Sequence, residues 1–295
     1  MSPQQTTHGT DSGDEAVVRY DVPRSHIARI TLDRPAMRNA QDLQMTYELN
    51  AAFDRAAQDD EVKVIVLAGA DPYFSAGHDL SGDGGKTWQD FPVVGTWCGF
   101  DCDGAEGRFA REKEIYQEIT ERWRNLPKPT IAAVQGKCIA GGLMLAWCCV
   151  IIIAADDAEF RDPVVEFGVC GVEFFAHPWE VGPRKAKEWL FTADWLKAEE
   201  ARQLGMVNQV VPRAELMEAA LAMAERIAAK PMFALKLTKE AVNQSQDAMG
   251  RHTAMLQAFS LHQLCHSHNQ QLYGIPVDPN GLPEPMRSRY RKRAT

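Results

Sequence analysis

The sequence has no apolar run near the roughly 18–20 residues needed to cross a bilayer. Its longest, Ala146 to Ala155, is uncharged but too short, and it reads as a buried helix end running into a buried strand. No secretory leader is expected at the start of this chain. The first fifteen residues, MSPQQTTHGTDSGDE, are polar and lack the basic and then apolar segments of a signal peptide; they read as a disordered tail. Basic residues are outnumbered: 32 Lys and Arg against 40 Asp and Glu leave a net charge of −8, which excludes a global attraction to nucleic acid. A polyanionic ligand would need a local patch. The C-terminal run from Arg287 to Arg293 is one candidate, and a solvated tail is the plainer reading. An even cysteine set is lacking too. Seven cysteines without a leader favour reduced thiols and a cytoplasmic location. Cys148 and Cys149 sit in an apolar stretch and read as small core residues. On a helix, His262, Cys265 and His266 would share a face able to hold a metal. No second ligand cluster accompanies them, so ordinary helix packing is the reading, with no metal expected.

What is present is globular composition, 45% hydrophobic and 24% charged over 295 residues, enough for one large domain or two modest ones. Ala16–Tyr20 and Ile27–Leu32 read as paired strands around a turn at Val22–Ser25. Asn39 is a candidate helix cap, with Leu43, Tyr47, Leu49 and Phe53 forming an apolar face through about Asp59. The dense runs Val62–Ala68, Thr130–Val134 and Val150–Ala154 suit parallel strands covered on both faces. After about residue 195 the character becomes helical, over Ala198–Leu204, Glu215–Ala229, Phe233–Ser245 and Ala248–His268, with one short strand at Asn208–Val211. The expected division is a tail over 1–15, an α/β core over 16–195 and a helical region over 196–295. Within the core, Ser81–Gly107 is a long loop carrying Trp88, Phe91, Trp97 and Phe100. Such loops are usually lids or binding loops, though its aromatics could equally pack on a subunit neighbour.

Two motifs carry chemistry. Phe74-Ser-Ala-Gly-His-Asp-Leu80 follows a buried strand, and its small residues let a ligand approach the backbone. Pro129–Ala146 contains a strand ending at Gly136, a short loop, then Gly141-Gly142 opening an apolar helix. Amides at a helix start are unpaired and carry the positive end of the dipole, so this geometry can receive a developing oxyanion. Close helix–strand packing at the glycines is the alternative.

With Ile30–Pro35, Ala155–Phe160 and Ala198–Asn208, these motifs resemble the crotonase, or enoyl-CoA hydratase/isomerase, superfamily over roughly residues 16–270. The resemblance implies an α/β fold, a spiral of ββα units with a helical C-terminal trimerisation region, and a homotrimer or dimer of trimers. It implies an acyl-CoA thioester as substrate, no cofactor beyond that coenzyme A, and no nucleic-acid or membrane partner. Carried over by position, the backbone amides of Ala76 and Gly141 would hold the thioester oxygen. Met37, Arg38, His78, Asp79 and Leu80 would lie along the coenzyme, and Met144 and Val164 beside the acyl group.

Those last two positions depart from the family pattern, because its hydratases carry glutamates there. Methionine and valine transfer no protons, and water addition needs a group that orients water and delivers a proton. Ordinary two-glutamate hydration is therefore excluded, and the acid or base must come from elsewhere. Glu173 and Asp162 are the first candidates, then His177, Glu166 and His78. The resulting expectation is an acyl-CoA-transforming enzyme with a non-standard acid/base. The alternative is a crotonase-fold protein that binds CoA esters without turnover.

Overall fold

A computed structural model describes residues 16–82, 84–95, 97–282, 284 and 287. The expected tail over 1–15 and positions 288–293 of the basic run lie outside the described residues. The elements in chain order are β1 (Val18–Arg24), β2 (Ile27–Leu32), α1 (Leu43–Gln58), β3 (Val64–Gly69), α2 (Gly104–Glu112), a π-helical stretch Lys113–Glu118, α3 (Ile119–Arg124), β4 (Thr130–Val134), β5 (Lys137–Ile139) and α4 (Gly141–Trp147). There follow β6 (Ile151–Ala155), β7 (Glu159–Arg161), α5 (His177–Glu180), α6 (Pro183–Thr192), β8 (Leu196–Lys197), α7 (Ala198–Leu204), β9 (Gln209–Val211), α8 (Leu216–Ala228), α9 (Met232–Ala248) and α10 (Arg251–Tyr273).

The main sheet runs β1-β2-β3-β4-β6-β9. Only the β1–β2 pair is antiparallel; every other neighbouring pair in it is parallel. Parallel strands buried on both faces need continuous rather than alternating apolar sequence, and β3 and β4 supply it, with nearly every residue buried. A second sheet, β5-β7-β8, stands beside the first. Two successive β-β-α units, β4-β5-α4 and β6-β7-α5, each place one strand in the main sheet and the next in the small one. This step carries the chain from the main sheet to Gly141.

Each face of the main sheet has its own core. One packs Phe53 of α1, Trp123 of α3 and Leu143 of α4 with Phe74, Phe160 and Trp189. The other packs Val64, Val66, Ile131 and Ile153 against Leu216, Ala220, Leu221 and Ala224 of α8. Thus α8 and β9, both beyond residue 195, complete the sheet and its cover, although element content does turn helical there.

Asn39 does not cap α1. Asp42 does, with its carboxylate accepting from the Met45 amide at 2.8 Å. Both are good cap residues by type. Asn39 is instead fully buried in the left-handed region at φ 53° and donates its amide to the carbonyls of Ala70, Tyr73 and Phe74. It thereby fixes the approach to the first motif.

Candidate active site

The first motif enters the site as a short strand-like segment bridged to Gln41. The Gln41 amide donates to Gly77 O at 2.7 Å, and the Asp79 amide donates to Gln41 O at 2.7 Å. In extended backbone, successive N–H groups point to opposite sides. With Asp79 N–H turned toward Gln41, the His78 N–H turns the other way. The Gln41 side chain donates to Gly141 O at 3.0 Å and so ties this segment to the start of α4. The two motifs are close enough that a Cβ on Gly77 (φ +87°) would fall 2.6 Å from Ile139 O and 3.1 Å from the Gly141 nitrogen. A Cβ on Gly141 would fall 2.4 Å from the His78 ring. Neither position tolerates a side chain without displacement.

This geometry corrects one expectation. The Ala76 amide donates to Arg38 O at 2.9 Å, so its hydrogen is already in use. The Ser75 amide is taken by Lys137 O and the Gly77 amide by Ser75 Oγ. Within Ser75–Asp79, His78 holds the one amide with no partner among the described residues. Gly141 opens α4, where first-turn amides have no partner within the helix. The Ala140 residue before it is held at φ 46°, ψ −113°, a sparsely populated conformation of the kind that clusters at functional sites.

A cavity of about 300 Å³ lies against these groups. Ala76, His78, Asp79, Leu80, Val164 and Glu173 line it, as do Glu112, Tyr116, His262 and His266. A larger cleft of about 710 Å³ shares Glu112, Tyr116 and Pro276 with it. The remaining expected residues lie elsewhere. Met37 and Arg38 are exposed outside the wall, and Met144 is buried in the core. Glu166 is on the surface, paired with Arg161 at 2.7 Å. Asp162 and His177 are both fully buried and pair with each other at 2.9 Å, away from the wall. Asp162 also accepts from the amides of Val164 and Val172. It thus pins the turn that carries Val164, and His177 is enclosed by the rings of Trp147, Phe175 and Trp189. The Asp79 carboxylate is held by Arg34 at 2.8 Å and by Ser81. Burial would raise its pKa, but these bonds outweigh burial and lower it.

Glu173 is the carboxylate that the fold delivers to the cavity. It is 4% exposed, and one of its oxygens has no hydrogen-bond partner among the described residues. Burial, and then the nearby Glu112 carboxylate, push its pKa well above the usual range. His78 Nδ1 lies 3.8 Å from Glu173 Oε1, and the His78 ring stacks on Tyr116 with centroids 3.8 Å apart. Burial lowers the His78 pKa to about 4, so the imidazole is neutral at pH 7.

Sequence reading missed Tyr116, Glu112 and Gln41, and gave His262 and His266 to packing alone. Tyr116 and Glu112 come from the α2 region, which carried no motif. His262 and His266 do turn inward together, as their i,i+4 spacing indicates. Cys265 instead lies near Cys170 and, after burial, helps to raise the Cys170 thiol pKa.

Comparison with known proteins gives the family and the fold. Residues 23–91 and 98–275 match the family model described as enoyl-CoA hydratase/isomerase. The chain is 47% identical over 264 residues to a Mycobacterium tuberculosis protein named "Putative enoyl-CoA hydratase", covering 87% of this chain and 83% of the relative. Among solved structures, a "probable enoyl-CoA hydratase" from Mycobacterium smegmatis superposes with a TM-score of 0.81 at 46% identity, covering 89% of this chain and 100% of the other. An enoyl-CoA hydratase/isomerase from Xanthobacter autotrophicus Py2 gives 0.76 at 32% identity, covering 91% of each chain.

Proposed function

This chain belongs to the enoyl-CoA hydratase/isomerase family and has its crotonase fold, and from that premise we propose that it moves a proton on the acyl group of a CoA thioester. The backbone amides of His78 and Gly141 hold the thioester oxygen, and Glu173 carries the proton. The carrying observation is convergence: His78, whose amide has no partner among the described residues, Ala140 next to Gly141 at the start of α4, and Glu173 all line one cavity.

Removing a proton from the carbon next to a thioester places negative charge on the carbonyl oxygen. Two preorganised amides stabilise that charge where it develops, and losing one such donor typically costs about 10²–10³ in rate. In its ionised form Glu173 takes the α-proton and can return it at the same or a conjugated carbon. Met144 and Val164 offer no second proton carrier, so a single-carboxylate proton shift fits better than water addition. The exposed Met37 and Arg38 belong to the path of the coenzyme outside the acyl cavity. Seven unpaired cysteines support a reducing, cytoplasmic setting. No helix among the described residues is long and apolar enough to cross a membrane.

The test is α-proton exchange of butyryl-CoA in D₂O, followed by mass spectrometry, because it reads the proton step whatever the overall reaction. Wild type should incorporate deuterium, and Glu173→Gln should lower the rate by roughly 10²–10⁴, the usual weight of a general base. Hydration of crotonyl-CoA should be weak or absent. A folded wild-type protein that binds butyryl-CoA without exchange would sink the enzyme reading in favour of CoA-ester binding alone.

A further inference from the structure

Beside Glu173, a second group of side chains converges, and the Gln263 side-chain amide donates to its Glu112 Oε2. His262 and His266 of α10 bring their Nε2 atoms to 2.8 Å from each other. Glu112, at the end of α2, places Oε2 at 3.8 Å from the first and 3.6 Å from the second. Glu173 Oε1 is 3.4 Å from His262 Nε2. The tautomers follow from the other ring nitrogens. His262 Nδ1 is 2.7 Å from Gly171 O, and His266 Nδ1 is hydrogen-bonded to Pro276 O. A carbonyl oxygen only accepts, so both Nδ1 atoms carry the hydrogen, and in its neutral form each ring presents a lone pair at Nε2. With both rings in that form, two lone pairs face each other at hydrogen-bond distance, with a carboxyl group beside them. That arrangement is repulsive unless something electropositive sits between the donor atoms.

We propose that Glu112, His262 and His266 form a binding site for a divalent first-row transition ion, with its open coordination position facing the acyl cavity. Three observations support it. The three ligand atoms lie within 4.8 Å of one another. A tetrahedral site with bonds of roughly 2.0–2.1 Å sets donors about 3.3 Å apart, and the observed separations of 2.8, 3.6 and 3.8 Å bracket that value. Each histidine also donates its remaining N–H to a backbone carbonyl, the outer contact that orients metal-ligating imidazoles. Neutral imidazoles with a carboxylate suit Zn²⁺ and its neighbours rather than Mg²⁺ or Ca²⁺. All three residues line the cavity, so a fourth ligand such as water would stand among the acyl-facing groups. The site is independent of the proton-transfer reading, because metal binding is measured without substrate.

The experiment titrates Zn²⁺ into the untagged, chelator-treated full chain by calorimetry, with metal content measured after gel filtration. Wild type should bind one equivalent with a Kd on the order of 1 μM or tighter. Glu112→Gln, which keeps the side-chain volume, and His262→Ala should each weaken binding by on the order of 100-fold or more. Circular dichroism melts confirm that each variant is folded. Cys265→Ser should bind as wild type does. The proposal falls if wild type binds no Zn²⁺ and ¹⁵N NMR shows a proton shared between the two Nε2 atoms at neutral pH. It also falls if folded Glu112→Gln and His262→Ala bind as well as wild type, or if Cys265→Ser removes binding.

Discussion

Asp162 and Glu173 are both buried carboxylates, and their neighbours give them different work. Asp162 accepts from two backbone amides and from His177, so every donor aimed at it loses its partner if it is removed. Leaving buried donors unsatisfied is costly, and breaking a buried polar pair from one side is among the larger single-residue effects. Asp162→Ala should therefore lower unfolding free energy by roughly 3–5 kcal/mol in urea melts, while α-proton exchange by the folded fraction falls far less than in Glu173→Gln. Glu173→Gln should do the opposite, removing exchange while leaving stability unchanged or higher, because burial disfavours its charge. Equal loss of exchange in both variants at full stability would return Asp162 to the catalytic set. At this scale the sequence located the two turns but not the hydrogen bonds within them. Phe74–Leu80 and Gly141 were legible as candidate backbone sites. Choosing His78 over Ala76 required knowing that Arg38 O already holds the Ala76 amide and that Gln41 turns the Asp79 amide away. Those bonds join residues some 38 positions apart, and local pattern carries no trace of them.

Regular elements were legible where one period dominates. The β-branched runs became β3, β4 and β6, and Ala198–Leu204 became α7 with the same ends. The region from Gly104 to Arg124 was not read as helical, and its structure explains why. Two α-helical stretches flank six residues of π-helix, so the 3.6-residue spacing of apolar positions is interrupted. Such insertions are frequent at functional sites, and this one brings Glu112 and Tyr116 to the cavity. It also buries Glu114, whose carboxylate accepts from the Val94 and Gly95 amides at 2.6 and 2.7 Å. The 81–107 loop is thus moored to its own chain. Phe91 stacks on Tyr47 at 4.9 Å, and Trp97 packs on Phe109 at 5.6 Å, which settles where these rings lie within one chain. Hydrogen bonds to a charged group contribute about 1.5–3 kcal/mol each. Glu114→Ala should therefore speed amide exchange at Val94 and Gly95 by on the order of 10²-fold and raise KM for the acyl-CoA, with kcat changing less. Unchanged exchange at both amides would show that the aromatic contacts hold the loop alone.

For the whole molecule, the unfinished surface is the one made by the last two helices. The inner face of α10 carries Met255, Phe259, His262 and His266, all buried. Its opposite face carries Leu261, Leu264 and Leu272, each about 60% exposed, and α9 leaves Phe233 72% exposed. A helix apolar on both sides suits burial between two bodies rather than at a surface, and contiguous exposed apolar residues mark association sites. Two-sidedness also explains why sequence alone could place α10 but not say which face met the core: the apolar residues follow no single stripe. Self-association through this face is the expected outcome, with a solution mass three or six times that of the chain, measured by light scattering. Leu264→Asp places a charge at the centre of the outer face while leaving the inward-facing His262 and His266 untouched. It should shift the protein to monomer mass with its far-ultraviolet dichroism retained, because burying an unpaired carboxylate in an interface costs far more than one leucine contact contributes. Because α10 also supplies His262 and His266 to the cavity wall, the dissociated variant should lose part of its α-proton exchange as well. A Leu264→Asp protein that keeps the wild-type mass would place the interface on another surface.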